Sequence, residues 1–201
     1  MSTDPIEIVL ATRNEGKVKE IERILSDLPV QFKPMSRLGD IPEIIESKPT
    51  LQGNAIKKAQ TLFDYTGIPS LADDTGLEVD ALSGQPGVRS ARFAGENATD
   101  ADNRALLLNK LTGCADRTAR FCTVIAYIDP EGIFLFEGAC EGRIRSDESG
   151  AGGFGYDSIF EPDGFAISFA EMSVESKNRI SHRGKALQKF RAFLFERTAS
   201  L

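Results

Sequence analysis

A chain of 201 residues with 41% hydrophobic content can bury one sizeable core, or two lobes of one domain, but not two large independent domains. Its net charge of −6 disfavours a nucleic-acid platform, which needs a basic excess, yet leaves small anionic ligands open, because a few local cations and backbone N–H groups hold a phosphate. No apolar run approaches the roughly 20 residues that cross a bilayer, and the acidic start Met1-Ser2-Thr3-Asp4-Pro5 lacks the basic and apolar stretches of a signal peptide, so the expectation is a cytoplasmic protein with no membrane and no nucleic-acid partner.

Ile6 to Ala11 reads as a strand that ends at Thr12-Arg13-Asn14-Glu15-Gly16-Lys17. A helix follows, with Val18, Ile21, Ile24, Leu25 and Leu28 on one face. A strand-turn-helix of this kind offers free N–H groups, a glycine that lets backbone approach a ligand, and the point charge of Lys17, which together suit a phosphate. It is not a Walker A loop, whose G-x-x-x-x-G-K pattern is absent, and an ordinary turn with a solvated lysine is the alternative. A strand is expected over Val30 to Pro34, then a helix from about Gly53 to Tyr65 carrying Ala55, Ala59, Leu62 and Phe63, with Gly67 placed to stop it.

Pro69 to Leu82 reads as extended chain interrupted by Asp73-Asp74. Two adjacent carboxylates in an apolar run are costly unless solvated, paired or holding a cation, and magnesium bound by one or two carboxylates plus substrate phosphates would remove that cost. Side chains alternate faces along a strand, so the two cannot both point at one ion. One should serve a metal or a water and the other support the structure; an acidic turn is the competing reading. Further on, Thr99 caps a helix whose apolar side is Ala101, Ala105, Leu108 and Leu111. Strands over Ala119 to Ile128 and Ile133 to Gly142 flank the turn Asp129-Pro130-Glu131-Gly132, a hairpin.

Gly150-Ala151-Gly152-Gly153-Phe154-Gly155-Tyr156-Asp157 contains G-x-G-x-x-G, but no apolar strand precedes it and Pro162 and Gly164 break any long helix after it, which argues against a Rossmann site. Its glycines let a mobile backbone pass close to a ligand, with Phe154 and Tyr156 available to stack on a base, although taken alone the segment reads first as a flexible surface loop. Ser173 to Arg183 holds the one histidine, His182, beside Arg183 and near Lys177. A multi-histidine zinc site is thereby ruled out, while donors to carbonyl and phosphate oxygens remain. The last helix has Ala186, Leu187, Phe190, Phe193 and Leu194 as a core stripe. Cys114, Cys122 and Cys140 are odd in number and form no C-x-x-C pair, so neither a disulfide framework nor a structural zinc is expected. Helices alternating with strands early and a hairpin late give an α/β fold with a mixed sheet.

Together these segments resemble the inosine triphosphate pyrophosphatases, nucleoside-triphosphate pyrophosphatases for hypoxanthine and xanthine nucleotides. The resemblance runs from Ile8 to about Leu194. It is carried by the T-x-N-x-x-K turn, by Ala-Asp-Asp-Thr-Gly-Leu continuing to Gly84-Gln85-Pro86-Gly87-Val88-Arg89-Ser90-Ala91-Arg92, by Gly-Phe-Gly-Tyr-Asp, and by Ser181-His182-Arg183. It implies a two-lobed single domain over residues 1–201, a long mixed β-sheet flanked by helices, and an active site in the cleft between lobes. The implied partners are a purine nucleoside triphosphate and a second copy in a homodimer; the implied cofactor is Mg2+.

By matching position, Thr12, Arg13, Asn14, Glu15, Gly16 and Lys17 would bind the triphosphate, and Glu46 with Asp74 would hold magnesium. Asp74 would take the proton of the attacking water, and Asn54 and Lys58 would support the phosphates. Thr75 stands where Ser is common. Phe154, Gly155, Tyr156, Asp157 and Lys177 would contact the nucleotide, and His182-Arg183 would read a purine with oxygen at C6. The implied reaction converts ITP, dITP or XTP to monophosphate and diphosphate. Two departures stand out: Glu46-Ser47-Lys48-Pro49-Thr50-Leu51 replaces the commoner Glu-Thr-Gly-x-Thr-Phe, and Gly53 stands where some members have Glu. A pyrophosphatase for modified pyrimidine nucleotides and a non-catalytic nucleotide-binding protein are the alternative readings.

Overall fold

The structure, a computed structural model, describes residues 5–39 and 41–199. In chain order its regular elements are β1 (Ile6–Leu10), α1 (Glu15–Ile24), β2 (Val30–Pro34), α2 (Leu51–Thr66), β3 (Ser70–Val79), β4 (Pro86–Gly87), α3 (Asp100–Lys110), β5 (Thr118–Asp129), β6 (Gly132–Ile144), β7 (Phe160–Pro162), α4 (Val174–Ile180) and α5 (His182–Ala199). The strands form a seven-stranded mixed sheet in the order β2-β1-β3-β5-β6-β7, with β4 added to β3. β1 runs parallel to β2 and β3, whereas β3 with β4, and β6 with β7, are antiparallel.

The chain divides into two compact units: the residues up to Asp74, Thr123–Glu137 and those from Arg183 onward, and Thr75–Cys122 with Gly138–His182. In the first unit the sheet is buried on both faces, and the pleat decides which residue faces which helix. Ile8, Leu10, Leu71, Ile125 and Tyr127 pack with Ile21 and Leu25 of the α1 segment and with Ala186, Leu187, Phe190 and Leu194 of α5. Their alternate neighbours Val9, Ala11, Ala72, Val124, Ala126 and Ile128 pack with Ala55, Ala59 and Leu62 of α2. This two-sided burial is why Ile8 to Ala11 reads as a continuous apolar run rather than an alternating one. The second unit has its own core, in which Leu77, Val79, Phe121, Ile144, Phe160 and Phe169 meet Leu107 and Leu111 at the end of α3.

The helix ends follow local chemistry. The side chain of Asn14 accepts from the Lys17 N–H and caps α1. Thr50 does the same for α2 by accepting from the Gly53 N–H at 3.0 Å, which places the helix start at Leu51, two residues before the apolar repeat alone suggested. Gly67 ends α2 at φ 67°, the left-handed conformation that favours glycine. Thr99 and Asp102 form a capping box on α3. The short elements β4, β7 and α4 have too few residues to leave a periodic signature, and the sequence did not announce them. None of the three cysteines is in a disulfide. Among the described residues no helix is long and apolar enough to cross a membrane.

Candidate active site

β3 carries the two acids, and the pleat sends them apart as the alternation argument requires. Asp73 shares the face of Leu71, toward α1 and α5; Asp74 shares the face of Ala72, toward α2. Asp73 is buried and its Oδ2 receives Lys17 Nζ at 2.9 Å and Arg183 Nε at 3.1 Å. Arg183 also reaches Glu20, which lies one turn after Lys17 on α1. Burial would raise the Asp73 pKa, but Lys17 and Arg183 overcome it and hold the carboxyl well below the usual range. Burial lowers the Lys17 pKa, with the charges of Lys58 and Arg183 adding to it against the pull of Asp73. Asp73, Lys17, Arg183 and Glu20 thus form a buried ionic network pinning β3 to the first turns of two helices.

On the opposite face, Lys58 Nζ bridges two carboxylates, lying 2.7 Å from Glu46 Oε1 and 3.0 Å from Asp74 Oδ1. Asn54 Nδ2 donates to Asp74 Oδ2 at 3.2 Å, and Asn54 Oδ1 accepts from the Lys48 N–H at 2.9 Å. Asn54 and Lys58, one turn apart on α2, therefore hold the acids rather than standing clear of them. Burial raises the Asp74 pKa, Lys58 opposes it, and the facing charge of Glu46 raises it further. Lys58 keeps its proton: burial works against its charge, but Asp74 and Glu46 outweigh burial and lift its pKa. A cavity of about 440 Å³ opens here, lined by Ala11, Thr12, Arg13, Lys17, Met35, Ile41, Glu43, Ile44, Glu46 and Lys58. It brings the predicted turn residues Thr12, Arg13 and Lys17 together with Glu46 and Lys58. Asn14 and Glu15 are exposed at the start of α1, and Gly16 is half-buried there.

Two hard carboxylates that already converge on the Lys58 ammonium have the chemistry to hold a hard divalent cation, whose shell phosphate and water oxygens would complete. Burial is the main cause of the raised Asp74 pKa and the Glu46 charge adds to it; a second positive charge would relieve that repulsion.

The second unit holds the remaining predicted residues, Arg183 excepted. Asp157 is buried; its Oδ2 accepts from the Phe154 N–H at 2.9 Å and from Lys177 Nζ at 2.7 Å. The Lys177 ammonium lies over the Phe154 ring, 5.0 Å from its centroid. Tyr156 is buried and its hydroxyl donates to the Ser90 carbonyl at 2.8 Å; burial raises its pKa, so it stays protonated and serves as an anchor. Three glycines of the glycine-rich segment lie close to neighbouring protein: a Cβ on Gly150 or Gly152 would come within 2.6 or 2.9 Å of the Ala170 backbone, and one on Gly153 would collide with the Asp157 carboxylate. These glycines answer to neighbouring protein as well as to any ligand. The His182 ring stacks on Phe121, with centroids 4.5 Å apart. His182 and Arg183, adjacent in sequence and paired by the resemblance, thus belong to different surroundings, one aromatic and one ionic. Thr75 is half-buried at the point where β3 enters this unit. Glu20, Asp100, Arg104 and Glu148 carry no local signal in the sequence: they are polar residues on helices or in a loop whose partners lie far along the chain.

In the mixed sheet, the first strand-turn-helix opens on a cavity lined by Lys17, Glu46 and Lys58, and Lys58 in turn pairs with Asp74. The chain belongs to the Ham1 family, whose sequence profile matches residues 8–193. Two relatives named dITP/XTP pyrophosphatase are each 49% identical to it. That from Desulfotalea psychrophila aligns over 92% of this chain and 83% of its own length, and that from Desulforamulus reducens over 92% and 93%. A solved HAM1 protein from Coxiella burnetii matches with a TM-score of 0.87 and 41% identity, covering 95% of this chain and 99% of its own. The Ham1 protein of Staphylococcus aureus matches with a TM-score of 0.86 and 38% identity, over 95% and 99%.

Proposed function

We propose that this protein is a magnesium-dependent pyrophosphatase that hydrolyses dITP, ITP and XTP to the monophosphate and diphosphate, acting in the cytoplasm as a homodimer. The observation that carries the reading is the convergence of Glu46 and Asp74 on Lys58 beside the Thr12–Lys17 turn, in a chain whose relatives bear the name dITP/XTP pyrophosphatase. Glu46 and Asp74 hold the cation. When bound, it supplies Lewis-acid stabilisation of charge on the phosphate oxygens. Asp74 accepts the proton of the water that attacks the α-phosphorus. Lys17 and Lys58 place positive charge where the diphosphate leaves, and the free N–H groups at the start of α1 bind phosphate oxygens. Phe154 offers its face to the base, while Lys177 and His182 supply donors toward oxygen at C6. Adenine turns an amino donor to the same groups, and an opposed polar pair in a closed site costs roughly 1–3 kcal/mol.

The test is diphosphate release with magnesium from ITP, dITP, XTP, GTP, ATP and dUTP in parallel. Rapid release from the first three, with monophosphate as co-product, is the expected result. Release of single phosphate would move the cleaved bond to the β–γ linkage and remove the mechanism. Asp74→Asn should abolish turnover while nucleotide binding, followed by calorimetry, stays within a few-fold. Absence of turnover in folded wild-type protein that still binds nucleotide would favour a non-catalytic binding protein.

A further inference from the structure

The glycine-rich segment is held largely by side chains rather than by strand pairing. Gly155 is the clearest case. Its N–H donates to Asp100 Oδ2 at 2.8 Å, and its carbonyl accepts from Arg104 Nη1 at 2.8 Å. Asp100 and Arg104 lie four residues apart on α3, so one helix face presents a carboxylate and a guanidinium to a single residue of backbone. Arg104 is itself fixed by Glu148 Oε2 at 2.9 Å, and Glu148 also accepts from Ser158 Oγ at 2.9 Å. Asp100 is not needed to cap its helix, because Thr99 and Asp102 already form the capping box. On one side of Gly155 the Phe154 N–H is taken by Asp157, and on the other the Tyr156 hydroxyl is taken by the Ser90 carbonyl. Both hydrogen bonds to Gly155 have a charged partner, the stronger kind.

We propose that Asp100 and Arg104 are positioning residues for base selection: by clamping both backbone groups of Gly155 they fix the direction of the Phe154 ring before a nucleotide arrives. The inference rests on the reading of Phe154 as the face that stacks on the base. A ring held in place costs no ordering when the base binds, and its angle decides which base edge meets the neighbouring donors. With the clamp gone, Gly155 at φ 62° has no side chain to restrain it and the segment can rotate about it.

The experiment compares wild type with Arg104→Met, Asp100→Asn and the conservative Arg104→Lys, by steady-state kinetics on ITP and ATP and by amide hydrogen exchange over residues 152–157. Arg104→Met should raise KM for ITP about tenfold with kcat within about twofold, and should narrow the ITP-to-ATP ratio of kcat/KM. The Gly155 amide should exchange faster, and Arg104→Lys should recover much of both effects. Wild-type KM, base ratio and exchange in a folded Arg104→Met protein would overturn the proposal. So would a parallel loss for every nucleotide that merely tracks melting temperature. Wild-type protein that treats ITP and ATP alike would instead bring down the base-recognition reading, and Gly155 exchange would then show whether the clamp holds the segment without any part in selectivity.

Discussion

Asp73 and Asp74 are neighbours of one residue type with different surroundings: Asp73 meets Lys17 and Arg183, and Asp74 meets Lys58 and Asn54. Asp73, buried between Lys17 and Arg183, titrates far below a free aspartate, near 3.9. A depressed folded pKa means that its contribution to stability is complete above the unfolded value and is lost as pH falls through the folded one. Asp73→Asn should therefore lower the unfolding free energy at pH 7 by about 3–5 kcal/mol, because two buried cations lose their counter-charge. The urea midpoints of wild type and variant should draw together below about pH 4. A gap that stays constant with pH would mean that the ionised carboxylate is not the source of the difference.

At the scale of elements, α2 supports an irregular segment with side chains on successive turns. Asn54 takes the Lys48 N–H, Lys58 takes Glu46, and Lys57 Nζ donates to the Ile45 carbonyl at 2.7 Å and to Ser47 Oγ at 3.1 Å. The two departures from the family pattern also fit each other here. A Cβ at position 53 would lie 2.9 Å from Lys48 Cβ, so glycine at 53 makes room for lysine at 48. Glu46 thus depends on contacts that α2 makes with its loop. Lys57→Met should speed amide exchange over residues 44–48 and raise the magnesium concentration for half-maximal activity several-fold, leaving kcat at saturating magnesium nearly unchanged. Exchange and magnesium dependence equal to wild type would mean that Glu46 is placed without Lys57.

For the whole molecule, three strands matter most. β3, β5 and β6 each contribute residues to both compact units, so neither unit can lose its strands without breaking the other's. The chain should behave as one cooperative domain despite its two cores. Urea transitions followed by far-UV circular dichroism and by near-UV signals from the tyrosines should coincide. Two separated transitions would show that the units fold independently.

The sequence alone determined the elements with strong local signals: the apolar run of β1, the periodic stripes of α2 and α5, the cap at Thr99, the stop at Gly67 and the turn of the β5–β6 hairpin. It also determined that Asp73 and Asp74 must part, since a strand's pleat leaves no other arrangement, and its ordered motifs pointed to the family. The tertiary structure decided which partners each acid meets, because that depends on whether α1 and α5 or α2 covers each face of β3. It alone paired Arg183 with Glu20 and Asp73, parted His182 from Arg183, and set Asp100 and Arg104 on Gly155. Hydrogen bonds and ion pairs between residues tens of positions apart leave no periodicity in the chain; they exist only once packed helices and strands have brought the partners within about 3 Å.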